Sequence, residues 1–155
     1  MAILNEPMTY LAFGIVRFFQ FVLALTVCGL YGVDITAARK AHVGVDGRWA
    51  YAIVVGTFSA ITALIYLVPV TMKKMSILFV WDTLLLFFWI VLFGIFGKLF
   101  IKEDAEGDKG IQRMKNAVWV DLINMLLWLV SAVSVGIYWL KHRHNRSQFT
   151  GRATI

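Results

Sequence analysis

The sequence predicts an all-α membrane protein, a bundle of four transmembrane helices with both termini on one side. Three observations predict it. Of 155 residues, 60% are hydrophobic and only 15% are charged, against roughly 25% charged in soluble domains. A chain this short has too much surface to hide that apolar fraction in water, and its mean hydropathy is +0.75. The apolar residues are also gathered into four runs, each near the roughly 20 residues that cross a hydrocarbon layer as helix. Finally, strict alternation of apolar and polar residues does not persist, which argues against a membrane β-barrel. The net charge of +6, from 15 Lys and Arg against 9 Asp and Glu, lies mostly between or after the runs. That placement flanks membrane spans and does not form a nucleic-acid-binding face.

The first run extends from about Met8 to Tyr31, the second from Trp49 to Pro69 or Val70, the third from Ser76 to about Gly97 and the fourth from Ala117 to Leu140. A polar loop with Gly44 and Gly47 covers Asp34 to Arg48, and Thr71 to Met75 reads as a tight turn carrying Lys73 and Lys74. The longest loop, Lys98 to Asn116, holds Glu103, Asp104, Glu106 and Asp108, then Lys109, Arg113 and Lys115. Residues 1–140 thus form the membrane domain. Residues 141–155, with Lys141, Arg143 and Arg146, form a basic tail expected to be disordered or to lie on lipid. The first run lacks a basic n-region and is interrupted by Arg17, so it does not read as a cleavable signal peptide. Ala2 stands where N-myristoylation needs glycine, and the C-terminus lacks a prenylation cysteine.

Charge leaves the orientation open. The side with the termini and the short turn carries Lys73, Lys74, Lys141, Arg143, Arg146 and Arg152. The long loops carry Arg39, Lys40, Arg48, Lys98, Lys102, Lys109, Arg113 and Lys115, together with most of the acids. Counting Lys and Arg slightly favours the long loops as cytoplasmic, whereas the clustering of bases against span ends favours the termini.

The informative residues are the charges inside the spans, because an ionisable group at membrane depth is costly and usually faces the bundle interior with a partner. Arg17 lies roughly 13 Å and Asp82 roughly 9 Å from the termini side, at about 1.5 Å per residue. The first and third helices run parallel, so these two are expected to pair. Asp121 enters from the other side, roughly 6 Å deep. It either reaches water and headgroups or caps a stripe of Asp121, Asn124, Trp128 and Ser131 at helical spacing. Comparable stripes are Phe13, Arg17, Gln20, Ala24, Cys28 and Tyr31 on the first helix, and Asp82, Leu85 and Trp89 on the third. The second helix offers Ala52, Gly56, Ser59, Ala60 and Ala63, small residues that let backbones approach closely. The favoured role of Arg17, Asp82, Gln20 and Asn124 is to fix which helix packs where. The alternative is a small transporter or channel subunit in which these residues and Asp121 line a path.

Trp49, Trp119 and Trp139 fall at span ends, where an interfacial belt is expected, while Trp89 and Trp128 are deeper and read as core. The single cysteine, Cys28, precludes an internal disulfide and thiol-pair redox chemistry within the chain, and reads as a small buried residue, with palmitoylation the weaker alternative. Val135 to Lys141 matches a cholesterol-type pattern and Asn145-Arg146-Ser147 a glycosylation sequon, both weak signals at an ordinary helix end. His42 falls in a loop, and His142 and His144 lie past the fourth span, so a haem-bearing bundle is not indicated. Zinc ligands and a phosphate-binding glycine loop are missing too. The expectation is no enzyme, no cofactor and no metal.

Taken together the spans resemble the fungal branch of the MARVEL-domain tetraspan proteins. The resemblance rests on Arg17-Phe18-Phe19-Gln20 and Gly29-Leu30-Tyr31-Gly32 in the first span, and on Arg48-Trp49-Ala50-Tyr51 opening the second. The third contributes its most diagnostic stretch, Val80-Trp81-Asp82 through Trp89, and the fourth Asn124 through Trp128 to Ser131. It covers about Met8 to Leu140. It implies a four-helix bundle with cytosolic termini in a plasma or secretory-pathway membrane of a eukaryote. It further implies a non-enzymatic role in microdomain organisation or vesicle trafficking, with partners among membrane lipids (sterol or anionic), further copies of the chain or other membrane proteins. Lys73, Lys74, Lys141, Arg143 and Arg146 would then face the anionic inner leaflet.

Overall fold

The computed structural model describes residues 6–67 and 75–147, with side chains described within 11–67 and 77–141. Four helices follow one another: α1 (Glu6–Lys40), α2 (Gly47–Leu67), α3 (Met75–Phe100) and α4 (Lys109–Ser147). Each holds a segment long and apolar enough to cross a membrane: Leu11–Lys40, Gly47–Leu67, Ile77–Phe100 and Lys109–Lys141. This is the architecture of a multi-pass integral membrane protein.

The helices overrun the hydrophobic runs that predicted them. α1 continues through Asp34 to Lys40, α3 reaches Phe100, and α4 begins at Lys109, all in stretches expected to be loop. Hydrophobicity marks how much of a helix suits hydrocarbon, not where its backbone hydrogen bonds end. Ala37, Ala38, Arg39 and Lys40 are good helix formers, and Arg39 and Lys40 complement the dipole of the last turn. At 35 and 39 residues, α1 and α4 are about 52 and 58 Å long, well beyond the roughly 30 Å of hydrocarbon. The first part of the tail, 141–147, likewise continues α4 as helix. Its bases sit at a helix C-terminus, where positive charge is favoured. The turn residues Lys73 and Lys74 and the end of the tail lie outside the described residues.

Local chemistry sets the described ends. α1 closes with a Schellman cap, in which the Val43 amide donates to Ala38 and that of His42 to Arg39. His42 takes the left-handed conformation at φ 54°, a position that favours glycine. Asp46 caps α2 by accepting from the Arg48 amide at 2.9 Å, and Asp108 caps α4 by accepting from the Gly110 amide at 2.6 Å.

The helices form a ring in which α1 packs against α2 and α4, α3 packs against α4, and a sparser α2–α3 contact closes it. α1 and α3 therefore face each other across the diagonal. The α1–α2 seam is tight because Gly56 has no side chain. A Cβ there would lie 2.7 Å from Cys28 Sγ and 3.2 Å from the Ala24 carbonyl oxygen. Gly136 does the same for α4 against Phe79 of α3, whose Cε2 would be 2.8 Å away. Large apolar residues such as Leu11, Phe18, Phe58, Val80, Phe87 and Val133 are exposed around the outside, the surface a lipid-facing bundle requires.

Candidate functional site: a buried polar column

Each helix turns its polar stripe inward. Buried are Arg17, Gln20, Ala24, Val27 and Tyr31 on α1; Ala52, Gly56, Ser59, Ala60 and Ala63 on α2; Asp82, Leu85, Trp89, Leu92 and Phe96 on α3; and Asp121, Asn124, Trp128 and Ser131 on α4. Only the α1 stripe departs from its expected form: Val27 is fully buried, while Cys28 is half-buried against α2.

In the half of the bundle toward the start of α1, the structure brings Arg17 and Asp82 together. Arg17 Nη2 donates to Asp82 Oδ2 at 2.7 Å, and their side chains are 5% and 0% exposed. This bond crosses the diagonal of the ring. Arg17 Nη1 also donates to Gln20 Oε1 at 3.0 Å, and the Ser131 hydroxyl of α4 donates to the same Asp82 oxygen at 2.8 Å. The guanidinium lies over the rings of Tyr66, 4.4 Å from its centroid, and Trp128, at 5.3 Å. All four helices thus converge on one cation, using ionic, hydrogen-bonding and cation–π contacts at once. Nearby, Trp89 Nε1 donates to Ser59 Oγ at 2.9 Å, and Trp81 Nε1 to Thr62 Oγ1 at 3.0 Å.

Toward the loop end lies a second buried cluster. The Tyr31 hydroxyl donates to Asp121 Oδ2 at 2.6 Å, and both residues are fully buried. This removes the expectation that Asp121 reaches water or headgroups. Tyr31 as its partner was missed by the sequence reading, although a signal existed. Tyr31 ends the first apolar run on the side where the fourth begins, so depth arithmetic places it within about 6 Å of the level of Asp121. Further out, Arg113 pairs with Asp34 where both are partly exposed, joining the polar extensions of α1 and α4 beyond their apolar runs.

Beside that pair is a cavity of about 380 Å³ lined by residues from all four helices, among them Asp34, Trp49, Phe100, Asp108 and Met114. Asp46 is also on its wall. Hydrogen bonds from the Arg48 side chain and amide hold the Asp46 carboxyl below the ordinary carboxylate value. Trp49 makes edge-on contacts with Phe96 and Phe100. Trp89 and Trp128 are core, while Trp119 is exposed.

No group of three or more His, Cys, Asp or Glu side chains is placed to hold a metal ion among the described residues. Among the basic residues expected to meet lipid, Lys141 is exposed on α4. Arg143 and Arg146 stand on the same helix with side chains outside the described set, and Lys73 and Lys74 are outside it altogether. No family model, curated protein or solved structure matches the chain.

Proposed function

We propose that the chain is a non-enzymatic, MARVEL-like tetraspan that organises lipid and protein partners within a eukaryotic membrane, with its termini in the cytosol. The observation that carries this reading is the use made of the deepest charges. Arg17 and Asp82 are spent on each other and on side chains of neighbouring helices, in a packed interior where they are 4% and 0% exposed. Charges used this way fix helix order. The outer surface, rich in Leu, Ile, Val and Phe, is then the part of the molecule that meets partners, and these are lipids or other apolar helices. Lys141 and the neighbouring bases suit the anionic inner leaflet, each worth about 1 kcal/mol near the surface.

The experiment is purification in native lipid, with lipid and subunit masses read by native mass spectrometry and ion or solute flux measured in proteoliposomes of the same preparation. The expected result is retained sterol or anionic lipid, a defined subunit stoichiometry, and no flux above protein-free vesicles. A flux abolished by Arg17→Leu in protein that remains folded would replace this reading with that of a small transporter or channel subunit.

A further inference from the structure

The two buried clusters are separated by atoms that no protein group satisfies. Asp121 Oδ1, both amide atoms of Asn124, Trp128 Nε1 and Gln20 Nε2 are buried without a hydrogen-bond partner. The four residues that bear them are each 0% exposed. On α4 the spacing 121, 124, 128, 131 keeps one face, so these groups rise in sequence over about 15 Å of helix. Below Asn124 stands the Tyr31–Asp121 bond. Above it stand Trp128 and the Arg17–Gln20–Asp82–Ser131 cluster. Asn124 occupies the gap with its donor and its acceptor both unspent.

Buried amides left unpaired are strongly disfavoured, and native interiors meet them with protein groups or with ordered water. We propose that Asn124 binds ordered water in the membrane interior, between the two clusters. The donor and acceptor pattern selects water over an ion. The free groups are donors at Gln20 Nε2, Trp128 Nε1 and Asn124 Nδ2, and acceptors at Asp121 Oδ1 and Asn124 Oδ1. A cation would satisfy only the acceptors and an anion only the donors. Water gives and takes hydrogen bonds, and one held by two to four polar partners is an ordinary constituent of a protein interior.

The sign of one substitution separates a hydrated core from a dry one. In a dry core, Asn124→Leu removes two unsatisfied atoms and the protein gains stability. In a hydrated core it expels that water and strands the polar groups the water served. Infrared spectra of the full chain in lipid nanodiscs, hydrated with D2O and then with 18O-labelled D2O, read bound water directly through isotope-shifted O–D stretching bands. The expected result is a narrow shifted band in the wild type that is absent in Asn124→Leu, with a melting temperature lowered by roughly 3–8 °C, the shift of a stranded buried polar group in a chain this size. Identical isotope-sensitive spectra for the two proteins, or a higher melting temperature for Asn124→Leu, would overturn the proposal. Should Asn124→Leu not fold, Asn124→Ser keeps a polar group with more room and is expected to retain a band at a changed frequency. A spectrum unchanged from wild type would count against the site.

Discussion

The two halves of the bundle bury a carboxylate by different means. Toward the start of α1, Asp82 is met by a full positive charge and by a hydroxyl, from helices α1 and α4. Toward the loops, Asp121 is met by the neutral hydroxyl of Tyr31, and the nearest ion pair, Asp34 with Arg113, stands further out where both side chains are partly exposed. The first half is a crosslink whose members depend on each other, because losing one leaves a bare charge in a low-dielectric interior. The second is a single hydrogen bond from a neutral hydroxyl, whose loss removes one donor and no countercharge. Burial is therefore equally complete in the two halves, but the penalty for breaking them is not.

Arg17→Leu should have the largest effect, costing about 3–5 kcal/mol because Asp82 is left uncompensated. Thermal unfolding in detergent, followed by tryptophan fluorescence or monodispersity, would show it as a large drop or as failure to accumulate. Gly56→Val strains the seam that holds α1 and α2 together, at a depth between the two clusters. Even a Cβ there approaches the Ala24 carbonyl oxygen to 3.2 Å, so the cost should reach the upper part of the roughly 1–3 kcal/mol seen for overpacking. If Gly56→Val costs as much as Arg17→Leu, helix proximity rather than the ion pair dominates the first half.

Tyr31→Phe should cost less, about 1–2 kcal/mol for a carboxylate oxygen that loses its donor. The same melting assay distinguishes it from Arg17→Leu, and equal losses would erase the contrast between the halves. The smallest change is a gain. His42→Gly relieves a left-handed residue at φ 54° and should stabilise by about 0.5–1 kcal/mol. The gain should appear in the protection of the last turn of α1 from hydrogen exchange as well as in the melting temperature.

Much of this was legible in the sequence, and the reasons are specific. Arg17 and Asp82 are rare residue types at membrane depth, on helices that run parallel, so depth alone pairs them. The α2 seam was readable because Ala52, Gly56, Ser59, Ala60 and Ala63 repeat at helical spacing. Helix ends were not readable from hydropathy. Asp34, Arg113 and Lys109 are polar yet helical, and nothing in an apolar window distinguishes a polar helix from a polar loop. Capping chemistry at Asp46 and Asp108 does, and it lies at the true starts of α2 and α4. Tyr31 was passed over because a tyrosine at the end of an apolar run ordinarily anchors at the interface, whereas here its hydroxyl turns inward to Asp121.

The central claim is that the Arg17–Asp82 pair is a structural crosslink. The most direct measurement is a double-mutant cycle on the full chain in lipid, with the stabilities of wild type, Arg17→Leu, Asp82→Leu and the double variant compared. The account predicts that each single variant is strongly destabilised and that the double variant recovers a substantial part of the loss, because an apolar pair leaves no buried charge unpaired. A double variant no more stable than Arg17→Leu alone would contradict it.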